Sequence, residues 1–339
     1  MKRFPVMAVL LMAVLIPVGP VAALEGAPPL EWFPMGPVAA EMESHFTLSP
    51  EIGLGYSPVF EKDREERQMK ARQYGRVPLT YAYGLLSGLE AFAVLPFYWG
   101  VSDQSFTNNQ AEVPGTMSGR LTGADFGDMT FALRWRAFAS EEERSWVTLV
   151  LGYIAPLGTN VWENVSYNFG ALMDVPSLAI GDGAHKLLIS AGGRTGGESL
   201  CFEGVLGYVW RMPIGDTVMV GYGSTMQVTL PSPVVGILKA SYGVAEDLQA
   251  TAAVSGFYAP AGSLSAGGYL AQIPGSADKV VDSYANLLAR TGGLWAGGGL
   301  EWAPAPSWRA ALGADAPLWA LNSWRFIRAR AELSFVWKP

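Results

Sequence analysis

Arg328, Arg330 and Glu332 occupy alternate positions near the C-terminal end of the chain, and Ser334 continues the series. Ile327, Ala329, Ala331, Leu333, Phe335 and Trp337 fill the positions between and around them. A helix would scatter those charges around its circumference, whereas an extended strand gathers them on one side. Charges turned toward acyl chains are costly, so such a strand suits a barrel wall with lipid outside and a polar lumen inside. The same two-residue rhythm sets Glu51, Glu90, Arg134, Arg136, Glu203, Glu301, Arg309 and Asp315 opposite apolar neighbours. Together with Arg328, Arg330 and Glu332 they are expected to line a lumen, where charged groups set the field and ion selectivity of a pore. In a narrow barrel the same groups could instead pair into a network that fills the lumen, and a barrel of about 12 strands lies between filled and open.

Other chemistry has little to build on. Serine catalysis usually needs a His to take the hydroxyl proton, and the chain has only His45 and His185. His45 precedes Thr47 and Ser49, and His185 precedes Ser190; the simpler reading makes the first a residue at the periplasmic end of a strand and the second a loop or strand-edge residue. Two scattered His and the lone Cys201 do not make a tetrahedral zinc set without distant carboxylates. Gly192-Gly193, Gly196-Gly197 and Gly297-Gly298-Gly299 lack the Lys-Ser/Thr and helix of a phosphate cradle; in a barrel, glycine allows tight curvature and leaves room in the lumen. No cofactor and no metal is expected. The mixed run Glu61 to Arg72 reads as a solvated external loop. The sharper alternative is a contact of Lys62, Arg64, Arg67, Lys70 and Arg72 with lipopolysaccharide phosphates.

The elements that would carry the charged positions recur along the chain. Apolar Phe46, Leu48, Ile52, Leu54 and Tyr56 alternate with Thr47, Ser49, Glu51, Gly53 and Gly55. Comparable alternation runs through Leu89–Phe97, Met129–Arg136, Leu200–Tyr208, Leu294–Trp302 and Arg309–Asp315. Tyr98, Trp99, Trp146, Tyr208, Trp210, Trp302, Trp308, Trp319 and Trp337 cluster near segment ends, as side chains with one apolar and one hydrogen-bonding end do at a water–lipid boundary. Short connections (Ser87-Gly88, Ser140 to Arg144, Ala245 to Asp247, Ala303 to Ser307) contrast with long polar ones (Pro58 to Arg76, Ser102 to Asp125, Pro156 to Gly183, Ala259 to Arg290). Outer-membrane barrels have short periplasmic turns and long external loops. Twelve or 13 segments are legible, and 12 is the expectation because single-chain bacterial barrels have even numbers. Short–long alternation fails between Met212 and Tyr242.

The N-terminus supports export. Lys2 and Arg3, an apolar run from Val6 to Val18 and the small Val21-Ala22-Ala23 make the three-part layout of a signal peptide, with an apolar run too short to span a bilayer. The expected organisation is a signal peptide cleaved after Ala23 (1–23), a periplasmic N-terminal segment (24–41) and an all-β, antiparallel transmembrane barrel (42–339). Charged residues make up 16% of the chain, against about 25% in soluble domains. No second helical span follows, and in lipid only helices and closed barrels satisfy every backbone polar group. The net charge of −7 argues against nucleic acid as a partner. The expected partners are outer-membrane lipid and lipopolysaccharide, the barrel-assembly machinery and a small-molecule solute.

The stretch Gly127-Asp128-Met129-Thr130-Phe131-Ala132-Leu133-Arg134-Trp135-Arg136 resembles a strand motif, Gly-Asp followed by Lys/Arg, Tyr/Trp and Lys/Arg, of the outer-membrane proteins named for the MetA pathway of phenol degradation. Ala155-Pro156-Leu157-Gly158 is similar to that family's Pro-Thr-Gly strand end, with Leu157 replacing Thr. Ser241–Leu248 resembles its strand–turn–strand unit. The resemblance implies a barrel of about 12 strands taking up small hydrophobic or aromatic compounds, and it supplies no catalytic residue. The function expected is an outer-membrane channel or transporter for small solutes; the alternatives are an outer-membrane acyl hydrolase and a sealed structural barrel.

Overall fold

The computed structural model describes residues 32–59, 67–108, 115–140, 144–158, 183–197, 199–219, 224–266, 290–321 and 323–338. The expected signal peptide, residues 24–31, Lys62 and Arg64, and most of the two longest connections lie outside them.

Every regular element described is a strand except for a single helical residue at Trp32. The wall begins with β1 (Ser44–Leu48), β2 (Glu51–Val59), β3 (Arg67–Leu86) and β4 (Leu89–Asn108). It continues through β5 (Gly115–Phe126), β6 (Met129–Ala139), β7 (Trp146–Ala155), β8 (Lys186–Gly196) and β9 (Leu200–Arg211). β10 (Ile214–Met219) and β11 (Ser224–Thr229) stand apart, and the wall resumes at β12 (Val234–Ala245) and β13 (Leu248–Ala259). After β14 (Ser263–Ala266) come β15 (Thr291–Ala305), β16 (Trp308–Leu321) and β17 (Ser323–Trp337).

All wall pairings are antiparallel, and β17 returns to β1 and β2, so the sheet closes on itself. Two pairs of segments each act as one stave, which makes a closed barrel of 12 staves. β1 and β2 keep one register against both neighbours, Leu48 facing Leu333 and Glu51 facing Arg330. Between them stands Pro50, which has no N–H to give the ladder. β5 and β6 pair in turn with the two ends of β4, and the register slips by one residue across Gly127-Asp128. That slip is a bulge, which adds a residue and re-aims the side chains beyond it. Phe126 before it is exposed on the outer face, while Asp128 and Thr130 after it are buried inside.

The apolar members of each alternation face outward and are exposed: Leu133 and Trp135 on β6, Leu149 and Leu151 on β7, Leu206 and Tyr208 on β9, Ile327 and Phe335 on β17. An apolar band of this kind on a closed sheet belongs in a bilayer. Trp302 and Trp308 meet edge to face at 5.0 Å beside one short turn, with the Trp302 indole N–H donating to Asp247 at 2.7 Å. Tyr98 and Trp146, read from sequence as boundary aromatics, are instead buried on the inner face, 3% and 6% exposed.

The troublesome region 212–242 resolves as one long connection followed by β12. β10 and β11 form a hairpin in that connection, and β11 pairs with β14 from the next long connection, giving a small sheet separate from the wall. Two other expected loops are partly wall: β2 runs to Val59, β3 starts at Arg67, and β4 and β5 extend to Asn108 and from Gly115. Arg67, Lys70 and Arg72 therefore lie in a strand.

Candidate functional site

The inner face of the barrel is not uniform, and the N-terminal segment makes the difference. The sequence places residues 24–41 in the periplasm; residues 32–39 lie against the inner face of the wall. The chain turns at Ala40–Glu43, where Met42 takes a left-handed conformation (φ 61°). Met42 N–H donates to Gly84 O and Gly84 N–H to Glu43 O, both at 2.9 Å. A Cβ at Gly84 would stand 1.8 Å from the Ala40 carbonyl oxygen, so only glycine lets the two backbones meet.

From this turn the segment crosses to β8 and β9. Ala39 N–H donates to Glu90 Oε2 at 2.6 Å. Glu90 also faces Arg134, whose Nε lies 2.7 Å from Oε1. The Arg134 guanidinium donates to three segment carbonyls, Pro37 at 2.6 Å and Pro34 and Gly36 at 3.4 Å. Phe33 is 1% exposed; its ring fills the dent left by Gly207, where a Cβ would come within 2.2 Å of it. Trp32 lies over the Lys186 ammonium, 5.6 Å from the ring centroid, and Lys186 pairs with Asp128.

The surface receiving Trp32, Phe33 and Met35 is apolar, with Val150, Ile154, Leu188, Val205, Val209, Val235 and Ile237 among its buried members. Burying one large apolar side chain stabilises by about 1.5–3 kcal/mol, and a net intramolecular hydrogen bond by about 0.5–1.5 kcal/mol. Packing and clamp together hold the segment by several kcal/mol.

The opposite half of the lumen stays open. A cavity of about 330 Å³ lies between Phe33–Gly36 and the inner faces of β12, β13, β15, β16, β17 and β1–β3. Thr47, Ser49, Thr251, Ala253, Ala311 and Gly313 give it small walls. On β3, β13 and β15 the next inward residue toward the long-loop end is aromatic, Tyr74, Phe257 and Trp295, and on β17 Phe326 follows Arg328. Phe257 stacks on Trp295 with centroids 6.0 Å apart, the Trp295 indole N–H donates to Phe326 O at 3.0 Å, and Phe326 meets Tyr74 edge to face at 4.8 Å. Arg328 caps the Trp295 ring at 4.7 Å. The cavity thus has an aromatic ceiling.

Most of the charged positions named from sequence meet in or beside this cavity. Glu51 takes Arg76 at 3.0 Å and Arg330 at 2.7 Å, and accepts the Tyr74 hydroxyl. Asp315 binds Arg328 at 2.6 Å and also pairs with Arg330. A second series alternates in sign across β8, β9, β12, β15, β16 and β17, passing over β13: Arg194, Glu203, Lys239, Glu301, Arg309 and Glu332. Arg309 lies 2.6 Å from Glu332 and 3.8 Å from Glu301, and Lys239 pairs with Glu301 and, at 3.5 Å, with Glu203. Glu90 and Arg134 are not in this group; they hold the segment. Arg136 lines a separate cavity of about 280 Å³ at the turn end with Pro37, Arg144, Trp146 and Arg194. The sequence reading missed Arg76, Lys186, Arg194 and Lys239. All lie on inward positions of wall strands, so the same alternation, extended to β3, β8 and β12, would have found them.

His45 contacts Glu43 at 2.5 Å, and His185 stacks on Tyr153 and contacts its hydroxyl. Cys201 is buried and unpaired. Among the described residues no group of His, Cys, Asp and Glu is placed to hold a metal ion, and no helix is long and apolar enough to cross a membrane.

Closed wall, apolar outer band and polar lumen define a transmembrane β-barrel of 12 staves. The chain is similar to the COG4313 outer membrane channel from Pseudomonas putida F1, at 13% identity and a TM-score of 0.60, over 92% of this chain and 100% of that one. Weaker likenesses are to the NanC porin (10% identity, TM-score 0.41, 85% and 98% covered) and to the toluene transporter TbuX of Ralstonia pickettii (9%, 0.41, 94% and 95%). No family model and no curated protein matches the chain.

Proposed function

We propose that this barrel is a channel of the bacterial outer membrane that passes small solutes, with apolar and aromatic molecules as the favoured class. The observation that carries the reading is the cavity between the N-terminal segment and the small-residue wall, lined by Trp295, around which Phe257, Phe326 and Tyr74 pack. A flat apolar molecule can stack on such a ceiling and exchange one aromatic contact for another. The alternating charges below it give the pathway a wet exit without a single dominant sign. The resemblance of Gly127–Arg136 to the phenol-degradation family supports the same solute class.

The test is uptake of N-phenyl-1-naphthylamine by intact cells, read as the rise in fluorescence when the probe passes the lipopolysaccharide leaflet. Cells making the protein should take it up several-fold faster than cells without it, and Trp295→Ala should change that rate. Equal rates with and without a correctly assembled barrel would remove the proposal and leave a sealed structural role.

A further inference from the structure

The cavity beside Trp295 presents its charges unevenly. The two ion-pair networks around it hold six cations against five carboxylates. Burial separates the signs further. The side chains of Arg309 and Arg330 remain 39% and 33% exposed, whereas their partners Glu301 and Asp315 are 17% and 11% exposed and Glu51 is buried. Glu332 is the one carboxylate of the networks that is as exposed as Arg330, at 33%. Arginine donor edges therefore dominate the polar surface that faces the open space.

The rest of the lining sorts into two banks. Phe33, Met35, Ile237 and Trp295 form an apolar one, and Arg309 and Arg330 stand on β16 and β17. Between them the wall is bare. Inward positions on β15 run Trp295, Gly297, Gly299 and Glu301. Ala253 stands opposite Gly297, and Arg330 is level with Gly299 through Gly313. Two inward steps along a strand span about 13 Å, which leaves room for a single ring and one substituent.

We propose that this cavity receives small aromatic carboxylates, with the ring against the apolar bank, the carboxylate on Arg330, and Arg309 nearer the turn end. The inference rests on the channel reading above and narrows its solutes to ring-bearing anions. A plain hydrocarbon would strip water from the two guanidiniums and return no hydrogen bond. An aromatic amine would bring a like charge to them. A carboxylate accepts from a guanidinium in a paired, charge-assisted geometry, and it balances the one cation in excess.

Fluorine NMR of the refolded, heat-modifiable protein in lipid nanodiscs reads affinity without requiring passage. Para-fluorobenzoate should bind several-fold more tightly than para-fluorotoluene, para-fluorobenzylammonium or trifluoroacetate, specific binding being what an excess of the unfluorinated molecule displaces. Arg330→Gln should weaken para-fluorobenzoate at least about tenfold, the worth of one charge-assisted hydrogen bond, and Arg309→Gln should weaken it less. Ala253→Phe fills the bare wall from β13 and should abolish binding, so it serves if Arg330→Gln fails to fold. Equal affinity of the parent for the neutral ring, the cationic ring or the ringless anion would overturn the inference, as would unchanged benzoate affinity in either folded variant. Uptake of N-phenyl-1-naphthylamine through the parent would in that case keep the channel reading. Conversely, selective benzoate binding by a barrel that passes neither benzoate nor current would keep the ligand class and remove the channel reading.

Discussion

The two halves of the lumen are built from the same alternating strands and end in opposite states. On β6–β9 and β12 the inward positions hold Val150, Ile154, Leu188, Val205, Val209, Val235 and Ile237, and the protein's own Trp32, Phe33 and Met35 cover them. On β13 and β15–β17 the inward positions hold Thr, Ser, Ala, Gly and paired charges, and a cavity remains. The difference teaches that inward side chains decide occupancy. Apolar positions in a water-filled lumen would leave a large hydrophobic surface wet, so the fold recruits a segment to dry them. The charged positions pair with one another, Glu51 with Arg76 and Arg330 and Asp315 with Arg328, and need no segment to cover them.

The contrast can be broken from either side. The largest effect should come from the dry half: Phe33→Ala removes a fully buried ring and should lower stability by about 3–5 kcal/mol, read as the urea midpoint of the barrel in lipid vesicles. A change below about 1 kcal/mol would mean that Phe33 is not firmly seated. In the wet half, Glu51→Gln removes the common partner of Arg76 and Arg330. Glu51 and Arg76 are buried, 1% and 5% exposed, so the loss should be about 3–5 kcal/mol, as for a buried pair that loses one partner; a loss below about 1 kcal/mol would show that water reaches the guanidiniums. Ala311→Trp should leave stability nearly unchanged yet cut single-channel current by more than half, since Ala311 faces the cavity. The smallest effect is expected from Arg309→Glu. Arg309 is 39% exposed, so the reversal potential in a salt gradient should shift only modestly toward cations. That shift should vanish in 1 M salt, where the screening length falls to about 3 Å.

The wall was largely legible in the sequence because lipid enforces a strict rule on every outward position. The alternation in Ile327–Trp337, Met129–Arg136 and Leu200–Tyr208 corresponds to real strands with the apolar side outward. The count of 12 follows once the hairpin β10–β11 is assigned to a connection. The inner arrangement was less legible, because inward residues answer to whatever lies opposite them. The useful signal was a failure of alternation. Trp146–Ala155 is apolar on both faces, and an inward Leu188 or Val205 on the neighbouring strands implies a cover. Trp32-Phe33-Pro34-Met35 is an apolar cluster of the right kind, but nothing local shows that it turns back at Ala40–Glu43. The Glu90–Arg134 pairing was hidden for a related reason: both residues alternate correctly, and their shared target is a backbone far away in sequence.

The central claim is that solute and ions pass through one half of the lumen while the other half is filled. Single cysteines at Ala311 and Val205, each in the Cys201→Ser background, test it most directly when exposed to a bulky methanethiosulfonate during single-channel recording. Reaction at position 311 should reduce the current in one step, and position 205, beneath the segment, should not react. Equal block at both positions, or block at 205 alone, would contradict the divided lumen.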